Sequence, residues 1–225
     1  MKKKILNQIK KITTKLIENT IAIAQNYPAI QKEKNNNIEN IVWCGFKNIS
    51  FTLKNRRYDE IYNECLNERA YNFLLLDGAI VQMMYKFDKN NLLQHRLAFY
   101  SSPDLERYQT DPETYEERHY GNQLFADVIA EKVIPFPLRF DYDKSDEKFM
   151  QCDHPYCHST LGNYDNCRIP VCSPISPNRF IQFIMRSFYF DKYKECFSDD
   201  MFSCDLNFER TIKPLETKLI HFNVC

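Results

Sequence analysis

The stretch that decides the fold is residues 73–100, which read FLLLDGAIVQMMYKFDKNNLLQHRLAFY. Two runs rich in apolar residues, 73–87 and 92–100, are separated by the short polar segment Asp88-Lys89-Asn90-Asn91. Apolar runs joined by a short Asp/Asn turn are typical of a β-hairpin. The centre of the chain therefore predicts two antiparallel strands.

The segments around this hairpin predict further strands and helices. Apolar residues at helical spacing before Asn26-Tyr27-Pro28 predict an amphipathic N-terminal helix within residues 1–30, whose other face carries lysines. The segment 31–40 has no apolar period and predicts a loop. Strands are predicted at 41–54, 135–142, 154–161 and 215–224, helices from 58 to 66, 124–132 and 177–193, and a polar loop at 101–120.

These elements together predict an α+β protein, with an antiparallel β-sheet and flanking helices. The length of 225 residues suits a single domain, 1–225, in which a sheet-and-helix core at 41–193 follows the N-terminal helix. Thirty basic and thirty acidic residues give a net charge of zero. This balance lacks the overall basic character of nucleic-acid binders, so any such binding must be local.

The cysteine pattern indicates a reducing compartment. Nine cysteines are spread over the chain, an odd number, and no signal-peptide pattern precedes them. The longest apolar runs are too short to span a bilayer. We therefore expect a cytoplasmic protein that is not associated with a membrane.

The densest group of candidate functional residues lies between residues 139 and 170. Two of the five histidines, His154 and His158, are four residues apart there, between Arg139 and Arg168. On a strand, side chains two residues apart share one face. We therefore expect His154, Tyr156 and His158 to project together, with Arg139 and Asp141 doing the same on a neighbouring strand.

The central hairpin adds polar residues inside apolar runs. Asp77 and Gln82 lie in its first half, and His95 and Arg96 lie in its second. Buried polar groups need partners, so these side chains are candidates to face the same pocket. The predicted binding residues are Asp77, Gln82, Arg96, Asp141 and Tyr156.

Three interpretations of this cluster stay open. Two histidines can exchange protons near neutral pH while an arginine stabilises a developing anion, as metal-independent ribonucleases require; the catalytic residues would be His154, His158, Arg139 and Arg168. A zinc site is the second interpretation, because soft ligands occur at Cys152, His154, Cys157, His158, Cys167 and Cys172. In the third, the cluster is a scaffold of ion pairs and buried cysteines without catalysis, and no cofactor is involved.

Several motifs resemble a known family. They are Leu76-Asp77-Gly78-Ala79-Ile80-Val81-Gln82, His95-Arg96-Leu97, His154-Pro155-x-x-His158, Cys167-Arg168-Ile169-Pro170 and a following Pro-x-x-Phe-Ile helix. The chain from about Trp43 to Tyr189 is similar to the prokaryotic family called domain of unknown function 2290. This resemblance implies a single-domain bacterial or mobile-element protein and no particular activity. The Arg-x-Asp and His-Pro-x-x-His strands are also similar to small toxins of bacterial toxin and antitoxin pairs.

Two functions are consistent with these observations. The first is an accessory or effector protein of a prokaryotic defence or toxin-type locus, acting on RNA or another phosphodiester by metal-independent acid/base chemistry. The second is a non-catalytic binding or adaptor subunit, which would hold a protein partner encoded nearby.

Overall fold

The computed structural model describes residues 1–33, 37–47, 49, 56–103, 136–162, 164, 166–197 and 206–224. The predicted loop at 101–120, beyond its first three residues, and the predicted helix at 124–132 lie outside the described residues. No helix in the described part of the chain has the length and apolar character that crossing a bilayer requires.

A nine-stranded antiparallel sheet forms the centre of the protein, which confirms the predicted α+β class. Its strands are β1 (Ala22–Gln25), β2 (Pro28–Lys32), β3 (Ile38–Trp43), β4 (Phe73–Leu75), β5 (Ile80–Asp88), β6 (Asn91–Tyr100), β7 (Pro137–Asp143), β8 (Cys157–Leu161) and β9 (Ile169–Pro170). The helices are α1 (Lys2–Glu18), α2 (Tyr58–Asn67), α3 (Pro177–Phe188) and α4 (Phe190–Cys196), with a 3₁₀ turn at Glu216–Lys218.

The predicted hairpin is the longest pairing in the sheet. β5 and β6 pair from Asp88 and Asn91 back to Ile80 and Tyr100, which confirms the turn at 88–91. From β5 the sheet continues through β6, β7, β8 and β9 on one side. On the other side, β4 pairs with the first half of β5 and β3 pairs with its second half.

Alternation along these strands separates two unlike faces. One face carries Val81, Met83, Leu97 and Phe140, which join the main apolar core together with α1 and α3. The opposite face is covered by α2 around Ile80, Ala98 and Tyr100, where a second apolar cluster forms. Away from α2 this second face carries polar side chains. We call the side that carries Val81 and Leu97, under α1 and α3, the covered face. The side that carries Ile80 and Ala98, of which α2 covers only a part, is the open face.

The N-terminal helix is shorter than predicted. α1 buries Ile5, Ile9, Ile12 and Leu16 at helical spacing but ends at Glu18 instead of near residue 27. Thr20 has a positive φ of 54°, which a continuing right-handed helix does not allow. The predicted loop at 31–40 is also wrong at both ends, because β2 and β3 pair with each other there.

The first arm of the hairpin contains a turn that the sequence prediction missed. β4 and β5 are joined around Gly78, which has a φ of 81°, and the Asp77 carboxylate accepts a hydrogen bond from the Ala79 N–H at 3.0 Å. A φ in this range favours glycine, so the chain can reverse at this point. The predicted single strand 73–87 is therefore two antiparallel strands.

Two predictions near the C-terminus are wrong in part. The helix predicted at 177–193 breaks at Tyr189, whose hydroxyl donates a hydrogen bond to Asp77 at 2.8 Å. The strand predicted at 215–224 is instead a 3₁₀ turn followed by an isolated bridge between Phe222 and Val171.

Candidate functional site

A cleft of about 680 Å³ lies on the open face of the sheet. β5, β6, β7 and β8 form its floor, because residues at matching register positions on these strands project to the same side. Arg96 is opposite Asp141, and Asp141 is opposite His158. The cleft contains all four predicted catalytic residues, His154, His158, Arg139 and Arg168.

The two histidines contact each other in this cleft. Their ring centroids are 4.9 Å apart and the rings meet edge to face. Only His158 belongs to β8, which begins at Cys157; His154 precedes the strand and bridges to Met150. The prediction that one strand carries both histidines is therefore wrong, although the chain brings the two rings together.

The hydrogen bond of His158 fixes which ring nitrogen carries the proton. Its Nδ1 lies 2.9 Å from the carbonyl oxygen of Pro155. A carbonyl oxygen can only accept, so Nδ1 must donate. In the neutral ring Nε2 is then left with a lone pair, which can accept a proton.

Burial favours the neutral form of His158. The side chain is 5% exposed, and this burial lowers the pKa of His158, with the positive charges of His154 and Arg168 acting in the same direction. The hydrogen bond to Pro155 and the charge of Asp141 oppose the shift without reversing it. At neutral pH His158 is therefore an available base.

Arginine side chains keep Asp141 ionised beside this base. Arg96 Nε donates to Asp141 Oδ1 at 3.0 Å across the β6–β7 pair. Burial alone would raise the pKa of Asp141, but the positive charges of Arg96 and Arg139, and of His158 once it is protonated at low pH, outweigh burial and lower this pKa. Asp141 is thus a permanent negative charge next to the strand that carries His158.

The described residues of the cleft carry a surplus of positive charge. Three of them are carboxylates, and each forms an ion pair: Glu33 with Lys86 at 2.8 Å, Asp141 with Arg96 at 3.0 Å and Asp143 with Lys148 at 2.8 Å. Arg139 and Arg168 also line the cleft and form no ion pair with any described residue. The Arg139 Nε is buried and has no hydrogen-bond partner among the described residues. Within the part of the chain that the structure describes, two guanidinium groups are therefore not paired with a carboxylate.

A short loop places His154 over the end of β8. The His154 N–H donates to the Met150 carbonyl, and Cys152 between them has a positive φ of 71°. The buried carboxylate of Glu216 accepts hydrogen bonds from the Lys213 N–H at 2.7 Å and the Cys152 N–H at 3.5 Å. The C-terminal 3₁₀ turn thereby helps to hold this loop.

Three of the predicted binding residues lie outside the cleft. Tyr156 stacks on Phe149 with ring centroids 4.2 Å apart, and its hydroxyl donates to Asp146. Asp77 is buried in the β4–β5 turn. Gln82 lies on the same sheet face as the cleft but under α2, where its Nε2 donates to the Ala70 carbonyl at 2.6 Å. Arg96 and Asp141 do lie in the cleft.

His95 borders the same cleft, but its side chain alternates with those of Arg96 and Asp141 along the strands and points to the other side of the sheet. Its ring belongs to the covered face, where it contacts Tyr85 and Tyr142. Its Nε2 accepts a hydrogen bond from the Ile175 N–H at 3.0 Å. His95 therefore fastens the segment before α3 to the sheet.

The proposed zinc ligands do not converge. Cys157 is buried on the covered face, with its thiol donating to the Ser173 carbonyl at 3.2 Å, whereas the adjacent His158 faces the cleft. Cys172 is buried in contact with Asn223. Among the described residues no three His, Cys, Asp or Glu side chains form a group that could hold a metal ion, so Cys152, His154, Cys157, His158 and Cys167 are not a ligand set.

Several residues of the cleft were missed by the sequence analysis. They include Glu33, Asn40, Phe46, Lys86, Gln94, Asp143, Lys148, Thr160 and Tyr164. Alternation from Arg96 and Asp141 could have indicated Gln94 and Asp143, because each is two residues from a polar residue already identified. Nothing local to Glu33 or Tyr164 indicates that they reach the same cleft.

The fold and the site define an α+β protein with a polar, cationic cleft on one face of an antiparallel sheet. The chain belongs to the family described as uncharacterized conserved protein (DUF2290), whose model matches residues 18–224. No match to the chain was found among curated proteins or among solved structures.

Proposed function

We propose that the cleft binds a phosphodiester of RNA and cleaves it by acid/base chemistry of His154 and His158. The observation that carries the proposal is the position of two arginines, which form no ion pair within the described residues, beside two contacting imidazoles. Guanidinium groups match phosphate oxygens through paired hydrogen bonds, and imidazoles exchange protons near neutral pH.

RNA fits this arrangement because it carries its own nucleophile. In the proposed reaction, Nε2 of His158 removes the proton from a 2′-hydroxyl, and that oxygen attacks the adjacent phosphorus. The bond from phosphorus to the 5′-oxygen breaks, and protonated His154 gives a proton to the leaving oxygen. The products are a 2′,3′-cyclic phosphate and a 5′-hydroxyl end.

The arginines have a separate role in this reaction. Negative charge grows on the phosphorane oxygens as the bond forms, and Arg139 and Arg168 lie where they can stabilise it. Arg96 is held by Asp141, so its part is to keep the floor of the cleft in place.

The direct test is cleavage of total cellular RNA by the purified protein. Wild type should produce fragments with 2′,3′-cyclic phosphate ends, and His154→Ala should lower the rate by roughly 100- to 10,000-fold. Lys10→Ala, on the exposed side of α1, should cleave at the wild-type rate. Circular dichroism checks that each variant is folded. An inactive wild type would contradict the catalytic proposal.

A non-catalytic binding or adaptor role is the second candidate. It is favoured by the low exposure of His158, 5%, which offers little imidazole surface to a substrate. In this case the same cations would hold an acidic partner without reaction. Co-purification with another chain, lost in Arg139→Ala and Arg168→Ala but unchanged in His154→Ala, would support this role.

The proposed setting is a prokaryotic defence or toxin-type locus. Its support is the similarity of Arg139-x-Asp141 and His154-Pro155-x-x-His158 to small toxins. Expression of the wild type in a bacterial host should then slow growth, and His154→Ala should restore it. Equal growth with both proteins would count against this setting.

A further inference from the structure

Two aromatic side chains of the cleft indicate which form of RNA it would bind, an inference that rests on the proposed function. Tyr164 lines the cleft and is 76% exposed, more than any other tyrosine that the structure describes. Exposed aromatic rings beside arginines are the usual platforms for unpaired bases, since every base has a flat face that can stack.

Gly162 lies directly beside the ring of Tyr164. A Cβ at Gly162 would lie 3.1 Å from two carbon atoms of the Tyr164 ring, and Gly162 has a φ of 70°. A side chain at residue 162 would push the ring away by a few tenths of an ångström, so glycine lets the ring lie close to the backbone there. The backbone supports the ring from that side and leaves much of it open.

A second aromatic ring lines the far end of the cleft. Phe46 follows β3, is partly exposed and packs edge to face on Trp43 with centroids 5.1 Å apart. Four strand spacings separate β3 from β8, which amounts to roughly 19 Å. Arg139 lies on β7, between the two ends, and Arg168 directly precedes β9, which pairs with β8 at the Tyr164 end.

From these positions we propose that the cleft takes single-stranded RNA, with one base stacked on Tyr164 and another base contacting Phe46. The phosphates of this segment lie over Arg139, between the two ends, and over Arg168, at the Tyr164 end. A duplex cannot use the two rings, because its bases already stack on one another. The preferred ligand is therefore an unpaired segment of several nucleotides.

The test measures the binding of a labelled, 2′-O-methylated RNA of roughly 12 nucleotides, which cannot be cleaved, by fluorescence anisotropy. The strand alone should bind at least about 10-fold more tightly than its duplex. Tyr164→Ala should weaken single-strand binding by roughly 5- to 150-fold, and Tyr164→Phe should retain it. Tyr27→Ala is the matched control, because Tyr27 is 56% exposed outside the cleft.

Salt dependence separates stacking from phosphate contacts. Arg168→Ala should reduce the slope of log affinity against log salt by about 0.7, and Tyr164→Ala should leave the slope unchanged. Wild-type affinity in Tyr164→Ala, or equal binding of strand and duplex, would overturn the stacking proposal and leave the phosphodiester proposal standing. A wild type that binds neither RNA would overturn both.

Discussion

His95 and His158 show how the same side chain serves two purposes on the two faces of one sheet. Both are buried, at 3% and 5% exposure, and burial lowers the pKa of each. On the covered face, Nε2 of His95 accepts the Ile175 N–H and is occupied. On the open face, His158 donates from Nδ1 to Pro155, which leaves Nε2 for chemistry. The hydrogen-bond partner, and not burial, separates a structural histidine from a candidate catalytic one.

The largest expected effect is on activity at the open face. His158→Asn keeps an N–H that can reach the Pro155 carbonyl but has no nitrogen that transfers a proton near neutral pH. RNA cleavage should fall by roughly 100- to 10,000-fold while the melting temperature changes little. His95→Asn should instead lower the melting temperature and leave the rate per folded molecule unchanged. The opposite pattern in the two variants would remove the distinction between the histidines.

The second effect is the pH dependence of stability that the covered face produces. Burial lowers the pKa of His95 from 6.5 to about 4. As the pH falls, the unfolded chain therefore binds a proton at His95 at a higher pH than the folded protein does. The free energy of unfolding is therefore unaffected by His95 above pH 6.5 and falls by about 3 kcal/mol as the pH decreases to 4.

Urea unfolding at pH 7 and pH 4 measures this loss. His95→Gln should lose less stability than wild type between the two pH values. His221→Gln, in the C-terminal segment, should match wild type. Identical pH dependence in all three proteins would show that His95 is not neutral and buried in solution.

The third effect concerns the guanidinium groups of the cleft. Arg168→Lys keeps the charge and loses the planar fork that matches two phosphate oxygens. We expect about a 10-fold fall in kcat/KM for RNA cleavage. Arg179→Lys on α3, outside the cleft, should leave the rate unchanged. Full activity in Arg168→Lys would show that only its charge matters.

The smallest effect is expected at the support of His154. Glu216→Gln keeps one acceptor oxygen for two backbone N–H donors, so the loop around Cys152 should loosen. The value of kcat should fall by about 3-fold with KM unchanged, because His154 moves and the arginines do not. A change in KM alone would assign Glu216 to substrate binding instead.

The sequence predicted the parts of this protein that follow local patterns. Alternation and the Asp/Asn turn were enough for the β5–β6 hairpin and for β7, and the residue types around His154 and His158 indicated one polar cluster. Each of these signals lies within a few residues of the feature that it predicts.

One missed feature had a local signal, and the others depend on tertiary contacts. The turn at Gly78 is marked by the Asp77-Gly78 pair, a common hairpin signal, but the apolar residues on both sides favoured one continuous strand. Tyr156 has the right spacing to join the two histidines, but the strand begins only at Cys157 and the ring stacks on Phe149. Gln82 projects to the same side of the sheet as Arg96, but it lies outside the cleft because α2 covers the open face at this position.

The ends of the sheet carry a consequence for how copies of the protein behave together. All three outer strands are short: β1 has four residues, β2 has five and begins with Pro28, and β9 has two and includes Pro170. Proline has no N–H to donate, and exposed strand edges are where chains join into aggregates. Beside β9, the N–H of Phe222 already bonds the Pro170 carbonyl. A sheet this wide can therefore keep the part of one face that α2 leaves uncovered open to solvent without offering its margins as a template for fibre growth.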